Sequence, residues 1–299
     1  MNNVIHQFEK MKRDIKQTDK LYSLFNSINN YPLIQFTMRK GTSLLRQRLN
    51  KKNEFFTNIS QLYCPPANCL PSYGRANLPY QPMFYVSTFA SDTKAYPPRL
   101  ITLMEISDFV KNKESKGIER STCSLWINIE PLNLISLPFS EYENACSDIK
   151  HIQNLWDKMK ESNTLCSEAI EITEYMSNEI SRPVTQNSDY FIISNFVNFL
   201  LNVNQSTCSA DGIIYPSVPA KGNGFNIAIK KESADKKIIF KHASLCFLIK
   251  NKMKSTYLLM NDSDSLCRDG NLKYIQRKTL LSDGDNIYNY NEINELFIN

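Results

Sequence analysis

The chain has 299 residues, 42% of them hydrophobic and 22% charged, with 35 Lys and Arg against 30 Asp and Glu for a formal net charge of +5. These proportions exclude a disordered tail, a collagen and a disulfide-stapled miniprotein, and a chain this long buries a core without staples. The small positive excess argues against direct nucleic-acid binding, and the lack of any run of about 18 apolar residues argues against a membrane span.

Residues 3–30 read as helical. Val4, Phe8, Met11 and Ile15 recur on one face, and Leu21, Leu24, Phe25 and Ile28 continue the stripe until Pro32 ends it. A free helical arm and a layer packed on the main domain are both open. Residues 34–38 and 43–49 read as strands around Gly41, and a loop with Pro65, Pro66, Pro71 and Gly74 leads to a strand at 83–87. Residues 100–106 fit either a strand or a short helix, and 124–130 a strand. Residues 141–203 read as three helices. The third, from 189, is apolar but interrupted by Ser194, Asn195, Asn198 and Asn202. Strands are expected at 212–215, 225–230, 237–241, 245–249 and 256–260, followed by a polar, loosely packed tail. Strands, then helices, then strands give an α+β class with a mixed β-sheet core. The organisation expected is an N-terminal helical region (1–35), an α+β domain with a helical insertion at 141–203 (36–260) and a C-terminal extension (261–299).

Eight cysteines (Cys64, Cys69, Cys123, Cys146, Cys166, Cys208, Cys246, Cys267) form no C-x-x-C pair. The three histidines, His6, His151 and His242, do not complete a zinc pattern. With a polar N-terminus that lacks the apolar core of a signal peptide, this reads as a cytoplasmic protein with free thiols and no metal. Phosphate-loop, dinucleotide, zinc-protease and nucleophile-elbow motifs are missing.

Four clusters carry residue types that a plain core does not need. Arg46 and Arg48 share one face of a strand and together suit a phosphate. Gly74-Arg75-Ala76-Asn77 is a tight turn before the strand that carries Tyr85, and Asn77 offers both a donor and an acceptor. Glu105 lies within an apolar run, where a carboxylate needs partners. Asp211 to Ser217 is a strand that ends in a hydroxyl, with Asn226 close behind. Each cluster alone fits an ordinary turn, strand end or hairpin.

Taken in order, Arg46, Gly74-Arg75-Ala76-Asn77, Tyr85, Glu105, Asp211 to Ser217 and Asn226 resemble the RES domain, a family named for its Arg, Glu and Ser. The resemblance covers roughly residues 40–231. It implies a fold like that of ADP-ribosyltransferases and an NAD⁺-degrading activity, by phosphorolysis or hydrolysis, in the toxin of a toxin–antitoxin pair. The antitoxin would be a helix-turn-helix (Xre-type) protein. No cofactor is implied: NAD⁺ is the substrate, with inorganic phosphate as co-substrate. Glu105 would steady the positive charge on the ribose as the nicotinamide bond breaks. Glu114, Glu119 and Glu130 are the alternative candidates for the acid. Arg46, Arg48 and Arg75 would bind phosphates, Tyr85 would border the nicotinamide, and Asn77, Ser217 and Asn226 would hydrogen-bond the ligand. Glu105, Arg75 and Ser217 form the expected catalytic set. Protein ADP-ribosylation and a non-catalytic interaction role on the same fold are the alternatives.

Overall fold

Two amphipathic helices, α1 (Asn3–Met11) and α2 (Thr18–Asn26), come first. The structure is a computed structural model and describes residues 3–12, 17–28, 31–51, 54–139, 142, 145–162, 164–203, 209–250, 256–262, 267, 269–274, 281–283 and 286–288. Ile15 and most of the 261–299 extension lie outside them. The strands β1 (Ile34–Met38), β2 (Ser43–Leu49) and β3 (Met83–Ser87) precede two helices, α3 (Pro98–Ile106) and α4 (Asp108–Lys111). Then come β4 (Gly117–Asn128), β5 (Leu132–Ser136), α5 (Ser147–Glu161), α6 (Ser167–Ser181) and α7 (Phe191–Asn198), which runs on as a π-helical turn over Phe199–Val203. The remainder is β6 (Gly212–Pro216), β7 (Phe225–Lys230), α8 (Lys231–Lys237), β8 (Ile238–Lys250), β9 (Thr256–Asp262), β10 (Leu281–Asp283) and β11 (Asn286–Tyr288).

Nine described strands form one sheet in the order β1-β5-β6-β7-β3-β2-β4-β8-β9. β5 and β6 run parallel and the other neighbours antiparallel, so the sheet is mixed and the class is α+β. One junction differs from the rest. β2 pairs with β4 from Ser43↔Ile127 to Leu49↔Ser121, and β3 pairs with β7 from Met83↔Lys230 to Ser87↔Asn226. Between β2 and β3 only the Leu45↔Ser87 pair forms. The sheet is joined there and parts beyond it.

α1 and α2 are a packed layer, not a free arm. Phe8, Met11, Leu21 and Phe25 are buried in the main core. The Phe25 ring lies 5.3 Å from Phe196 and 5.4 Å from Phe199, and Phe8 lies 5.7 Å from Tyr175 on α6. Lys12 Nζ donates at 2.7 Å to Glu179, a buried carboxylate that also accepts from Arg182 Nε at 3.1 Å. In α7 the polar interruptions have partners: Ser194 Oγ donates to the Tyr190 carbonyl and Asn195 Nδ2 to that of Phe191, both within the helical segment, and Asn198 Nδ2 donates to the Tyr22 hydroxyl of α2. A helix buried on all sides can therefore carry them. No helix among the described residues is long and apolar enough to cross a membrane. The described cysteines are free, and Cys208 lies outside the described residues.

Several elements differ from the sequence reading. Residues 100–106 belong to a helix, which Pro98 starts at a position where proline has no lost hydrogen bond to answer for. The expected strands 237–241 and 245–249 are one strand, β8, because β4 pairs with it on both sides of a bulge that leaves Lys241 unpaired in the ladder. β4 begins at Gly117, seven residues before the 124 expected, for the same reason. β5 and α8 had not been anticipated. Gly270 and Leu272, in the expected loose tail, are tied by backbone hydrogen bonds to Ile59 and Thr57.

Phe25→Ala should destabilise the protein by about 3–5 kcal/mol, the usual cost of emptying a buried aromatic site. Denaturant unfolding checks this. A loss below about 0.5 kcal/mol, the size of a typical surface effect, would mean that α2 adds nothing to the core.

Candidate functional site

A cavity of about 340 Å³ opens where β2 and β3 part, and Arg46, Arg75, Asn77, Tyr85, Glu105 and Asn226 line it. Its volume falls at the lower end of the range for small-molecule sites.

Arg46 reaches across the gap from β2, and its Nη1 donates to the Tyr85 carbonyl of β3 at 2.9 Å. The guanidinium lies over the Phe84 ring at 5.7 Å, and its Nε is buried with no partner among the described residues. Burial lowers the Arg46 pKa, and the nearby Cys64 pulls the other way.

The turn at Gly74 fixes the next two residues. Gly74 N donates to the Asn77 carbonyl at 3.0 Å. Asn77 Oδ1 accepts from the Tyr85 hydroxyl at 2.8 Å, and that hydroxyl accepts from Ala76 N at 3.1 Å. Burial raises the Tyr85 pKa, so the phenol is neutral near pH 7. A side chain at Gly74 has no room, since a Cβ there would lie 2.2 Å from Asn77 Oδ1. Arg75 turns toward the helical layer. Its Nη1 donates to the carbonyls of Ile180 and Arg182 at the end of α6, and its Nη2 lies 3.1 Å from the Tyr190 hydroxyl. The Tyr190 ring lies under the same guanidinium at 5.0 Å.

Glu105 sits in the last turn of α3, where the negative end of the helix dipole disfavours a carboxylate. Two donors offset this. Ser217 Oγ and Asn226 Nδ2 both donate to Glu105 Oε1 at 2.7 Å. Oε2 has no hydrogen-bond partner among the described residues, and the side chain lines the cavity. Ser217 is held by its own turn: its N–H donates to the Gly224 carbonyl and its carbonyl accepts from Gly222.

Two expected ligand-binding residues are placed differently. Arg48 is not among the cavity-lining residues: it donates to the Gln61 carbonyl and stacks on Phe56 at 4.8 Å. β2 has left β3 by that point, so the neighbour of Arg48 is the turn Ile59–Gln61. Ser217 is fully buried and spends its hydroxyl proton on Glu105, which makes it a positioning residue for that carboxylate. Glu114, Glu119 and Glu130 are not among the lining residues. Glu119 accepts from Ser107 Oγ, and burial raises its pKa. Sequence reasoning passed over Gln47, Thr102, Tyr190 and Tyr215, which also line the cavity. Gln47, a polar residue between two arginines, was the one local hint, and the structure buries it.

The site thus offers a fixed carboxylate, two guanidiniums and neutral phenols. No histidine or cysteine lines it, and no cluster that could hold a metal ion is found among the described residues. Such a set can bind phosphate oxygens and stabilise positive charge on a sugar carbon. Compared with known proteins, the chain matches no family model and no curated protein sequence.

Gly74→Ala should push the Asn77 carboxamide off Tyr85 and destabilise the protein by about 1–3 kcal/mol, as overpacking does. Thermal and denaturant unfolding check this. Wild-type stability would mean that the turn has room to spare.

Proposed function

We propose that the chain is an NAD⁺-degrading enzyme that breaks the bond between nicotinamide and ribose, as its resemblance to the RES domain implies. The observation that carries this reading is Glu105, held on one oxygen by Ser217 and Asn226 and unpartnered on the other, beside two cavity-lining arginines. Cleavage of this bond passes through an oxocarbenium-like state. A carboxylate fixed in advance stabilises that charge without reorganising as it forms. Arg46 binds a phosphate of the substrate through the guanidinium edge that faces the cavity. Arg75, steadied by Tyr190 and the end of α6, presents a second positive charge. Nicotinamide leaves as a neutral base, so the reaction needs no strong general acid, in keeping with a lining that holds no histidine.

The acceptor decides the product: inorganic phosphate gives phosphorolysis, water gives hydrolysis, and a protein side chain gives ADP-ribosylation. Unchecked NAD⁺ loss poisons a cell, so the toxin role and a partner protein that restrains the enzyme belong to the same proposal.

Purified protein incubated with NAD⁺, with and without inorganic phosphate, should release nicotinamide, and ³¹P NMR should identify the other product. Glu105→Gln keeps the shape and removes the charge. Turnover should fall roughly 100- to 1000-fold, while stability changes by no more than about 1 kcal/mol. Near wild-type activity in Glu105→Gln would move the acid elsewhere, and no NAD⁺ loss in wild-type protein would overturn the reading.

A further inference from the structure

Three phenols line the cavity, and two of their hydroxyls have hydrogen-bond partners in the protein. Tyr85 donates to Asn77 and accepts from Ala76 N, and the Tyr190 hydroxyl is paired with Arg75. The third, Tyr215 on β6, is only 4% exposed, yet its hydroxyl has no hydrogen-bond partner among the described residues. A phenylalanine would fill the same space, so the hydroxyl adds only a donor that no described group answers. The hydroxyl keeps some exposure to the cavity, where a ligand can reach it.

The position of Tyr215 narrows what that ligand group is. Tyr215 pairs with Asn226 across β6 and β7, and Asn226 donates to Glu105. It stands two residues before Ser217, so the two side chains leave the chain on the same face, the one on which Ser217 meets Glu105. Burial and the negative charge of Glu105 both keep the Tyr215 proton on, so it acts as a donor near neutral pH. A carboxylate oxygen that can only accept and a phenol free to donate thus line the same cavity. Adjacent sugar hydroxyls, each able to donate and to accept, complement that pair.

We infer that the Tyr215 hydroxyl contacts the substrate, donating to one ribose hydroxyl while the unpartnered oxygen of Glu105 accepts from its neighbour. This inference rests on the NAD⁺ reading above and adds to it the residue that recognises the ribose.

The test compares wild-type protein with Tyr215→Phe in three measurements: thermal midpoint without ligand, ADP-ribose binding by calorimetry, and NAD⁺ consumption. The variant should melt at the wild-type temperature or higher, since it loses no bond within the protein. It should bind ADP-ribose about tenfold more weakly, the worth of one hydrogen bond, and consume NAD⁺ more slowly. A hydroxyl with a merely structural role would show the opposite pattern, a lower midpoint with binding unchanged, and that result overturns the assignment. Equal binding and turnover in both proteins also removes Tyr215 from the site and leaves the NAD⁺ reading standing. Wild-type protein that neither binds ADP-ribose nor consumes NAD⁺ overturns the NAD⁺ reading, and the ribose contact with it.

Discussion

The candidate site depends on one break in a hydrogen-bonded ladder. β2 and β3 share a single pair, Leu45↔Ser87, and then part, which leaves backbone groups on the two facing edges to find other partners. Arg46 answers for one of them by donating to the Tyr85 carbonyl across the gap. An arginine suits this position better than a lysine. Its planar fork has five donors, so one can hold the strand while others face the cavity, and it keeps its charge even though burial lowers its pKa. The cavity is thus a consequence of the sheet topology, and its first charged group is part of the scaffold that keeps it open.

The helical layer is joined to the same site through Arg75. The last carbonyls of a helix have no partners within it. At the end of α6, those of Ile180 and the following Arg182 are taken up by the Arg75 guanidinium. Close by, Glu179 is buried between Lys12 and Arg182, so α1, α6 and the cavity wall meet in one charged cluster. Desolvation offsets most of the attraction in a buried ion pair, but losing either partner leaves a costly unpaired charge. The cluster therefore adds little net stability while strongly penalising any other seating of α1 on α6. The N-terminal helices thus help to set the position of Arg75 without touching the cavity.

Glu105 shows where local preference gives way to the site. A carboxylate in the last turn of a helix opposes the dipole, and a lysine there would favour it. Two neutral donors from distant parts of the chain, Ser217 and Asn226, hold one of its oxygens instead. Tyr215 departs in a similar way: its side chain is mostly buried, yet its hydroxyl has no partner among the described residues. Departures from local rules that gather in one cavity mark a functional site more clearly than any one of them alone.

The local pattern of residues determined much of this protein. Strands at 34–38, 43–49, 83–87 and 225–230 and the helical stripes of 141–203 were legible because alternation, spacing and flanking breakers agree there. The residue types of the site were legible too, as four ordered clusters that bring Arg46, Arg75, Asn77, Tyr85, Glu105 and Asn226 into one cavity lining. What the pattern could not carry was set by partners far away in the chain. Residues 100–106 fit two periods, and a run of seven is too short to choose between them. β8 is continuous because β4 pairs with it on both sides of the bulge at Lys241. Arg46 and Arg48 share a strand face by the period of two, yet only one faces the cavity, because β3 has diverged before the second is reached. The roles of Ser217 and Tyr215 differ for the same reason. Sequence spacing says which side chains leave a strand together, but which of them meets a partner depends on the helix and strands packed against it.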